Sequence, residues 1–83
     1  MTEPVDVEAR HTSEGRLRPV AFHWRGQRLL VYAYGRDWQT AEAEHMLVQT
    51  TGERVFELAH RPSDGSWQLI RSPQDFGPPR RRV

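Results

Sequence analysis

Hydrophobic and polar residues alternate along several short segments of the chain. In residues 19–25, PVAFHWR, every second position carries a large apolar side chain: Val20, Phe22 and Trp24. Similar alternation, or a run of β-branched and aromatic residues, occurs in residues 5–10, 28–34, 45–50, 54–60 and 66–71. A period of two residues is typical of a strand with one buried face. Turn-forming sequences separate the segments, so they predict an antiparallel all-β domain.

The first strong pair of strands is a hairpin around Gly26. With Gly26-Gln27 as a two-residue type II′ loop, Arg25 pairs with Arg28 and Trp24 with Leu29. One face of this hairpin is then wholly apolar and is predicted to be core: Val20, Phe22, Trp24, Leu29, Val31 and Ala33. The opposite face is mixed and is predicted to be exposed: His23, Arg25, Arg28, Leu30, Tyr32 and Tyr34.

A second hairpin is predicted to turn at Thr51-Gly52 or at Gly52-Glu53. Either two-residue loop places Leu47, Phe56 and Leu58 on one face, because the two registers differ by two residues. His45 and His60 would share that face as a stacked or solvent-facing pair. Glu57 would point to the opposite face, where an exposed ion pair with an arginine contributes about 0–1 kcal/mol.

Two segments lack the alternation. Residues 35–44, GRDWQTAEAE, are predicted to form a long loop or a single helical turn that Asp37 would cap. Residues 72–83 contain three prolines and no periodicity, which predicts a disordered tail. The remaining residues, 1–71, are expected to form one small β domain. Its five to six short strands would curl into a small antiparallel barrel or strongly bent sheet of SH3-like size.

The length and composition of the chain restrict the class of protein. A chain of 83 residues is one domain at most, and it has no cysteine for a disulfide or a thiolate metal site. The N-terminal segment is acidic and lacks the apolar stretch of a signal peptide. No apolar run approaches the roughly 18 residues that a membrane helix needs. We therefore expect a cytoplasmic protein without a membrane partner.

Charge is balanced overall but uneven along the chain. The formal net charge is +1, and all twelve cationic side chains are arginine. Acidic residues concentrate between residues 37 and 64, whereas arginines concentrate before that segment and in the tail. Arginine binds phosphate and stacks on aromatic rings, which is compatible with nucleic-acid binding. The acidic segment would repel a polyanion.

The order of these features resembles that of a small bacterial domain of unknown function. The resemblance covers about residues 5–71 and is carried by residues 15–31, by Trp38, by TTGERVFEL (50–58) and by DGSWQLIR (64–71). That domain occurs alone or at the C-terminus of Y-family-polymerase-like proteins of the translesion mutagenesis machinery. The chain departs from it at His45-Met46, where the family carries paired tyrosines, and in its tail. The resemblance implies a setting in DNA damage tolerance and supplies no catalytic residue.

The sequence presents no motif for catalysis. It has no nucleophile–base pattern, no glycine-rich phosphate loop and no lysine, so we expect neither an enzyme nor a small-molecule substrate nor a cofactor. Two histidines without a third ligand do not make a metal site. Two functions stay open: a protein-interaction module for a polymerase-like partner, or a weak binder of single-stranded nucleic acid. The candidate binding residues for either are Arg25, Arg28, Tyr32, Tyr34, Arg80, Arg81 and Arg82.

Overall fold

The fold is one antiparallel sheet of seven strands. A computed structural model describes residues 2–76 of the chain. Its elements are β1 (Glu3–Pro4), β2 (Val7–His11), β3 (Leu17–Trp24), β4 (Gln27–Gln39), β5 (Glu44–Thr50), β6 (Arg54–Arg61), β7 (Ser66–Arg71) and a 3-10 helix (Pro73–Phe76). The strand order is β1-β7-β6-β5-β4-β3-β2. The six predicted strands correspond to β2–β7, and the all-β prediction is confirmed.

The N-terminal segment joins the two ends of this sheet. Residues of β1 pair with β7, and residues of β2 pair with β3. Between them, the amide of Val5 donates to the carbonyl of Trp67, and the carbonyl of Asp6 accepts from the amide of His23. One short stretch therefore pairs with β7 at one end of a strongly curled sheet and with β3 at the other, which covers edges that would otherwise be open to pairing.

Three aromatic rings form the centre of the core. Phe56 is fully buried, and its ring lies edge-on to Phe22 and to Trp24, each at a centroid distance of 5.0 Å. Such T-shaped pairs are the favoured geometry of aromatic contacts. Aliphatic residues from four strands surround the rings: Leu29, Met46, Val48, Leu58 and Leu69. The prediction that Phe22 and Trp24 are packing residues is confirmed.

The first hairpin turns one residue earlier than predicted. Trp24 pairs with Gln27 and Phe22 with Leu29, so the loop residues are Arg25 and Gly26. Both have positive φ, of 50° and 77°, which identifies a type I′ turn instead of the predicted type II′. The pairing shifts by two residues, which keeps Phe22, Trp24 and Leu29 on the buried face as predicted. The prediction is wrong for Val20, which is only half-buried because the pairing of β3 with β2 skips it, whereas Pro19 and Ala21 are fully buried.

The second hairpin has a loop of three residues, and both predicted two-residue loops are wrong. Thr50 pairs with Arg54, so Thr51, Gly52 and Glu53 form the turn. Val48 therefore lies opposite Phe56, and Leu47 lies opposite Glu57. An odd shift in pairing moves alternate residues to the other face, so the core takes Met46 and Val48 and not Leu47.

The predicted loop or helical turn at residues 35–44 is also wrong. Strand β4 continues through this segment to Gln39, and only Thr40–Ala43 form a turn. The Thr40 hydroxyl accepts hydrogen bonds from the amides of Glu42 and Ala43, which closes that turn. Irregularities in the pairing of β4 with β5 obscure the alternation, because each bulge shifts the period of two by one residue.

The predicted tail begins with ordered residues. Ser72 is buried, its amide and hydroxyl donate to the carboxylate of Asp75, and Pro73–Phe76 form the 3-10 helix. The rest of the predicted tail, residues 77–83, lies outside the described residues and includes Arg80, Arg81 and Arg82. Across residues 2–76, no helix has the length and apolar character that crossing a bilayer demands.

Candidate interaction site

The sheet divides between β3 and β4. Their pairing runs from Trp24↔Gln27 to Ala21↔Leu30 and stops there. Beyond it, side chains connect the two strands, and in one such contact the hydroxyl of Tyr34 donates to the carbonyl of Pro19 at 2.7 Å. Proline has no amide hydrogen to give to a ladder, which suits a position where pairing ends. We call this opening the β3–β4 split.

A cluster of charges lies across the β3–β4 split. Oδ2 of Asp37 accepts from Arg16 at 2.5 Å and from Arg18 at 3.2 Å. The hydrogen bond from Arg16 holds the pKa of Asp37 below its ordinary value of 3.8. The guanidinium of Arg18 also lies over the ring of Tyr34, 5.2 Å from its centroid. Asp37 therefore ties β4 to β3 and does not cap a helical turn.

A cleft of about 580 Å³ opens at the wide end of this split. Its walls include Arg16 and Leu17 on β3 and its preceding turn, Asp37 and Trp38 on β4, and Met46 on β5. Apolar and charged groups are mixed along it. This cleft was not predicted from the sequence, because the β4 residues that line it were assigned to a loop.

The large hydrophobic side chains that stay exposed are concentrated on β4. Within residues 2–76, four such side chains are exposed, and three are Leu30 (51%), Tyr32 (54%) and Tyr34 (42%). We call these three residues the β4 row. The fourth is Phe76, at the end of the 3-10 helix. Tyr32 and Tyr34 were both predicted as exposed binding residues. The hydroxyl of Tyr34 already donates a hydrogen bond to the carbonyl of Pro19.

The two predicted binding arginines of the first hairpin do not project together. Arg25 sits in the turn itself, and its guanidinium stacks on the ring of Trp24, 4.4 Å from the centroid. Arg28 is on strand β4 and donates from Nε and Nη2 to the carboxylate of Glu8 at 2.6 and 2.7 Å. The prediction that Arg25 and Arg28 pair across the turn is wrong, because Arg28 lies opposite His23. Glu8 on β2 also neutralises the charge of Arg28.

The Glu8–Arg28 pair makes stability dependent on pH. The hydrogen bond from Arg28 lowers the pKa of Glu8 from its ordinary 4.5, and the carboxylate of Glu8 raises the pKa of Arg28. A carboxyl group with a lowered folded-state pKa stabilises the fold above its unfolded-state pKa, and this contribution is lost as pH falls through the folded value. Both side chains are about half exposed, so solvent weakens the effect.

We expect Glu8→Gln to flatten the acid side of the stability profile. Melting temperatures measured from about pH 6 down to about pH 3 should fall less steeply in the variant than in the wild type, because glutamine does not titrate. Glu42→Gln, at an exposed residue with no ion pair within the described chain, is the matched control and should follow the wild type. Identical profiles for Glu8→Gln and wild type would show that the pair does not persist in solution.

A buried charged group on the outer side of β5–β7 was not foreseen. The carboxylate of Glu57 accepts from Nδ1 of His45 at 2.8 Å and from Nε of Arg71 at 2.6 Å. The Glu57 side chain is only 6% exposed. The ring of His45 stacks on Trp38 with an interplanar angle of 10°. The expected arginine partner exists, but the carboxylate of Glu57 is buried, and it is Arg71 that reaches solvent.

His45 and His60 are not neighbours. His45 pairs with Ala59 and His60 with Glu44, so strand alternation places the two imidazoles on opposite faces of the sheet. Each packs on a tryptophan, His45 on Trp38 and His60 on Trp67. In the part of the chain that the structure describes, no three His, Asp or Glu side chains converge in a metal-binding group.

Comparison of the chain with models of protein families, with curated proteins and with solved structures finds no match.

Proposed function

We propose that this protein is a non-catalytic, cytoplasmic protein-interaction module that binds a polymerase-like partner in DNA damage tolerance. The observation that carries the proposal is the β4 row. Leu30, Tyr32 and Tyr34 fall within five residues of one strand and keep between 42% and 54% of their surface in contact with solvent. Clustered exposed apolar and aromatic side chains are typical of protein interfaces. The setting and the partner follow from the family resemblance of residues 5–71.

The distribution of ion pairs favours a protein over a nucleic acid as the partner. Two arginines of the described chain that lie outside the β3–β4 split are already paired, Arg28 with Glu8 and Arg71 with Glu57. A paired guanidinium offers less to phosphate, because binding a polyanion then requires it to leave its own carboxylate. Arg28, beside the β4 row, is paired through two nitrogens. Binding to single-stranded nucleic acid is therefore the weaker alternative.

The test is a binding measurement with a purified Y-family-polymerase-like protein from the same genome. We expect the double substitution Leu30→Ser and Tyr32→Ser to weaken binding by at least about tenfold, because it removes the central apolar contacts. Tyr34 is left in place because its hydroxyl bridges two strands. Phe76→Ser, at the exposed hydrophobic residue outside the β4 row, should leave the affinity within about twofold of wild type.

Two results would contradict the proposal. One is a wild-type domain that does not bind the polymerase-like protein. The other is a labelled single-stranded oligonucleotide that binds the wild type, loses affinity in Arg25→Glu, and binds the Leu30→Ser, Tyr32→Ser variant normally. That second pattern would assign the domain to nucleic-acid binding.

A further inference from the structure

Both walls of the β3–β4 split carry backbone groups without a strand partner. Beyond Ala21↔Leu30, β3 pairs only with β2 on its other side, and β4 pairs only with β5. In an antiparallel ladder the N–H and C=O groups of a strand point alternately to its two neighbours. About half of the backbone groups of residues 17–20 and 32–39 therefore face the split, which is the pattern that a peptide recognises when it adds as a strand.

Arginines are concentrated on the β2–β3 side of the split, whereas Asp37 and Glu44 supply the carboxylates of the cleft at its end. Arg10 and Arg18 are directly opposite each other on paired strands, an arrangement that is unfavourable without an anion nearby. Arg16 and Arg18 share a single oxygen of Asp37, and Nη1 of Arg18 is buried without an acceptor. Within residues 2–76, the carboxylate that forms ion pairs with Arg16 and Arg18 is that of Asp37.

We propose that the β3–β4 split binds an extended acidic peptide segment of a partner protein. The peptide adds as a strand to the free edge of β4, and its carboxylates bind Arg10, Arg16 and Arg18. This inference rests on the proposed function, because the peptide belongs to the protein partner. Arginine forks bind carboxylates with two parallel hydrogen bonds, so they supply orientation in addition to charge.

Asp37 acts in the free domain as an internal substitute for a ligand carboxylate. Its Oδ2 occupies the guanidinium groups of Arg16 and Arg18, and an incoming carboxylate has to displace it. Replacing Asp37 with asparagine keeps the shape of the side chain and removes its charge. Asp37→Asn should therefore strengthen the binding of an acidic peptide, whereas loss of a merely structural contact would weaken it.

The probe is a short fluorescein-labelled peptide in which glutamate and valine alternate, titrated at low ionic strength. We expect it to bind at least about tenfold more tightly than the same peptide with lysine for glutamate. A third peptide keeps the glutamates but has alternate backbone amides N-methylated, so that it cannot donate to a strand edge. It should bind at least about fivefold more weakly than the first.

Variants of the arginines and of Asp37 complete the test. The double substitution Arg10→Gln and Arg18→Gln should weaken binding of the glutamate peptide by at least about tenfold. Asp37→Asn should strengthen that binding by at least about threefold. Arg54→Gln, at a half-buried arginine beside the β5–β6 turn, is the matched control and should change nothing. Melting curves of each variant establish that it is folded.

The proposal is overturned if the glutamate peptide does not bind, if the lysine or N-methylated peptide binds equally well, or if Asp37→Asn weakens binding. It is also overturned if the Arg10→Gln, Arg18→Gln variant loses affinity for an oligonucleotide but keeps its affinity for the peptide. Binding of the polymerase-like protein through the β4 row with no peptide in the split would refute this inference and leave the proposed function standing. Peptide binding without affinity for a polymerase-like protein would refute the proposed partner.

Discussion

Phe56→Ala is expected to unfold the domain or to lower its free energy of unfolding by about 3–5 kcal/mol. The ring of Phe56 is fully buried and contacts both Phe22 and Trp24 edge-on, so its removal leaves a cavity between two rings that cannot close around it. Native proteins are stable by only about 5–15 kcal/mol, and small domains are at the low end of that range. Urea denaturation followed by tryptophan fluorescence measures the loss.

Phe76→Ala is the matched control for this substitution. Phe76 is 37% exposed at the end of the 3-10 helix, where its ring lies under the guanidinium of Arg71 at 4.3 Å. An exposed cation–π contact of this kind contributes about 0.5–1 kcal/mol, so the same chemical change should have a small effect. Comparable losses for the two variants would mean that the three-ring core of Phe22, Trp24 and Phe56 does not form in solution.

The sequence allowed the strands and the first core residues to be predicted because their alternation is regular where the pairing is regular. The error in the first hairpin was harmless, since moving the loop from Gly26-Gln27 to Arg25-Gly26 changes the register by two. The error in the second hairpin was not. A loop of three residues in place of two exchanged Leu47 for Val48 in the core and separated His45 from His60. Composition does not distinguish these loop lengths at Thr51–Glu53, where both central candidates contain Gly52.

The candidate site was hidden for a related reason. Pairing irregularities in β4 fall between Val31 and Ala33 and between Tyr34 and Asp37, so Gly35 and Asp37 looked like loop residues. Once β4 extends to Gln39, Asp37 faces Arg16 and Arg18 from a hairpin about twenty residues away in sequence. Such long-range ion pairs leave no local pattern, and the same holds for Glu8 with Arg28 and for Glu57 with Arg71. Only the tertiary arrangement shows which arginines are already paired.

Removing the carboxylate of Glu57 is expected to cost about 2–4 kcal/mol of unfolding free energy, although a sequence-based prediction assigned this residue to an exposed pair. Glu57 is 6% exposed, and its two oxygens satisfy His45 and Arg71 separately. In Glu57→Ala, Arg71 can turn to water because it is 42% exposed, so its charge is not stranded. His45 is 15% exposed and loses the acceptor for Nδ1, which leaves a largely buried polar group unpaired.

A series of substitutions, each measured by chemical denaturation, tests whether the loss of stability arises from the Glu57 carboxylate. Glu57→Gln keeps the volume and one acceptor oxygen, so it should cost less than Glu57→Ala, and Glu42→Ala at an exposed turn residue should change stability by less than about 0.5 kcal/mol. His45→Ala combined with Glu57→Ala should cost less than the sum of the two single changes, because each single change leaves the other partner of the hydrogen bond unsatisfied. If Glu57→Ala and Glu42→Ala have equal effects, the Glu57 carboxylate points to water and the buried ion pair on the outer side of β5–β7 does not exist.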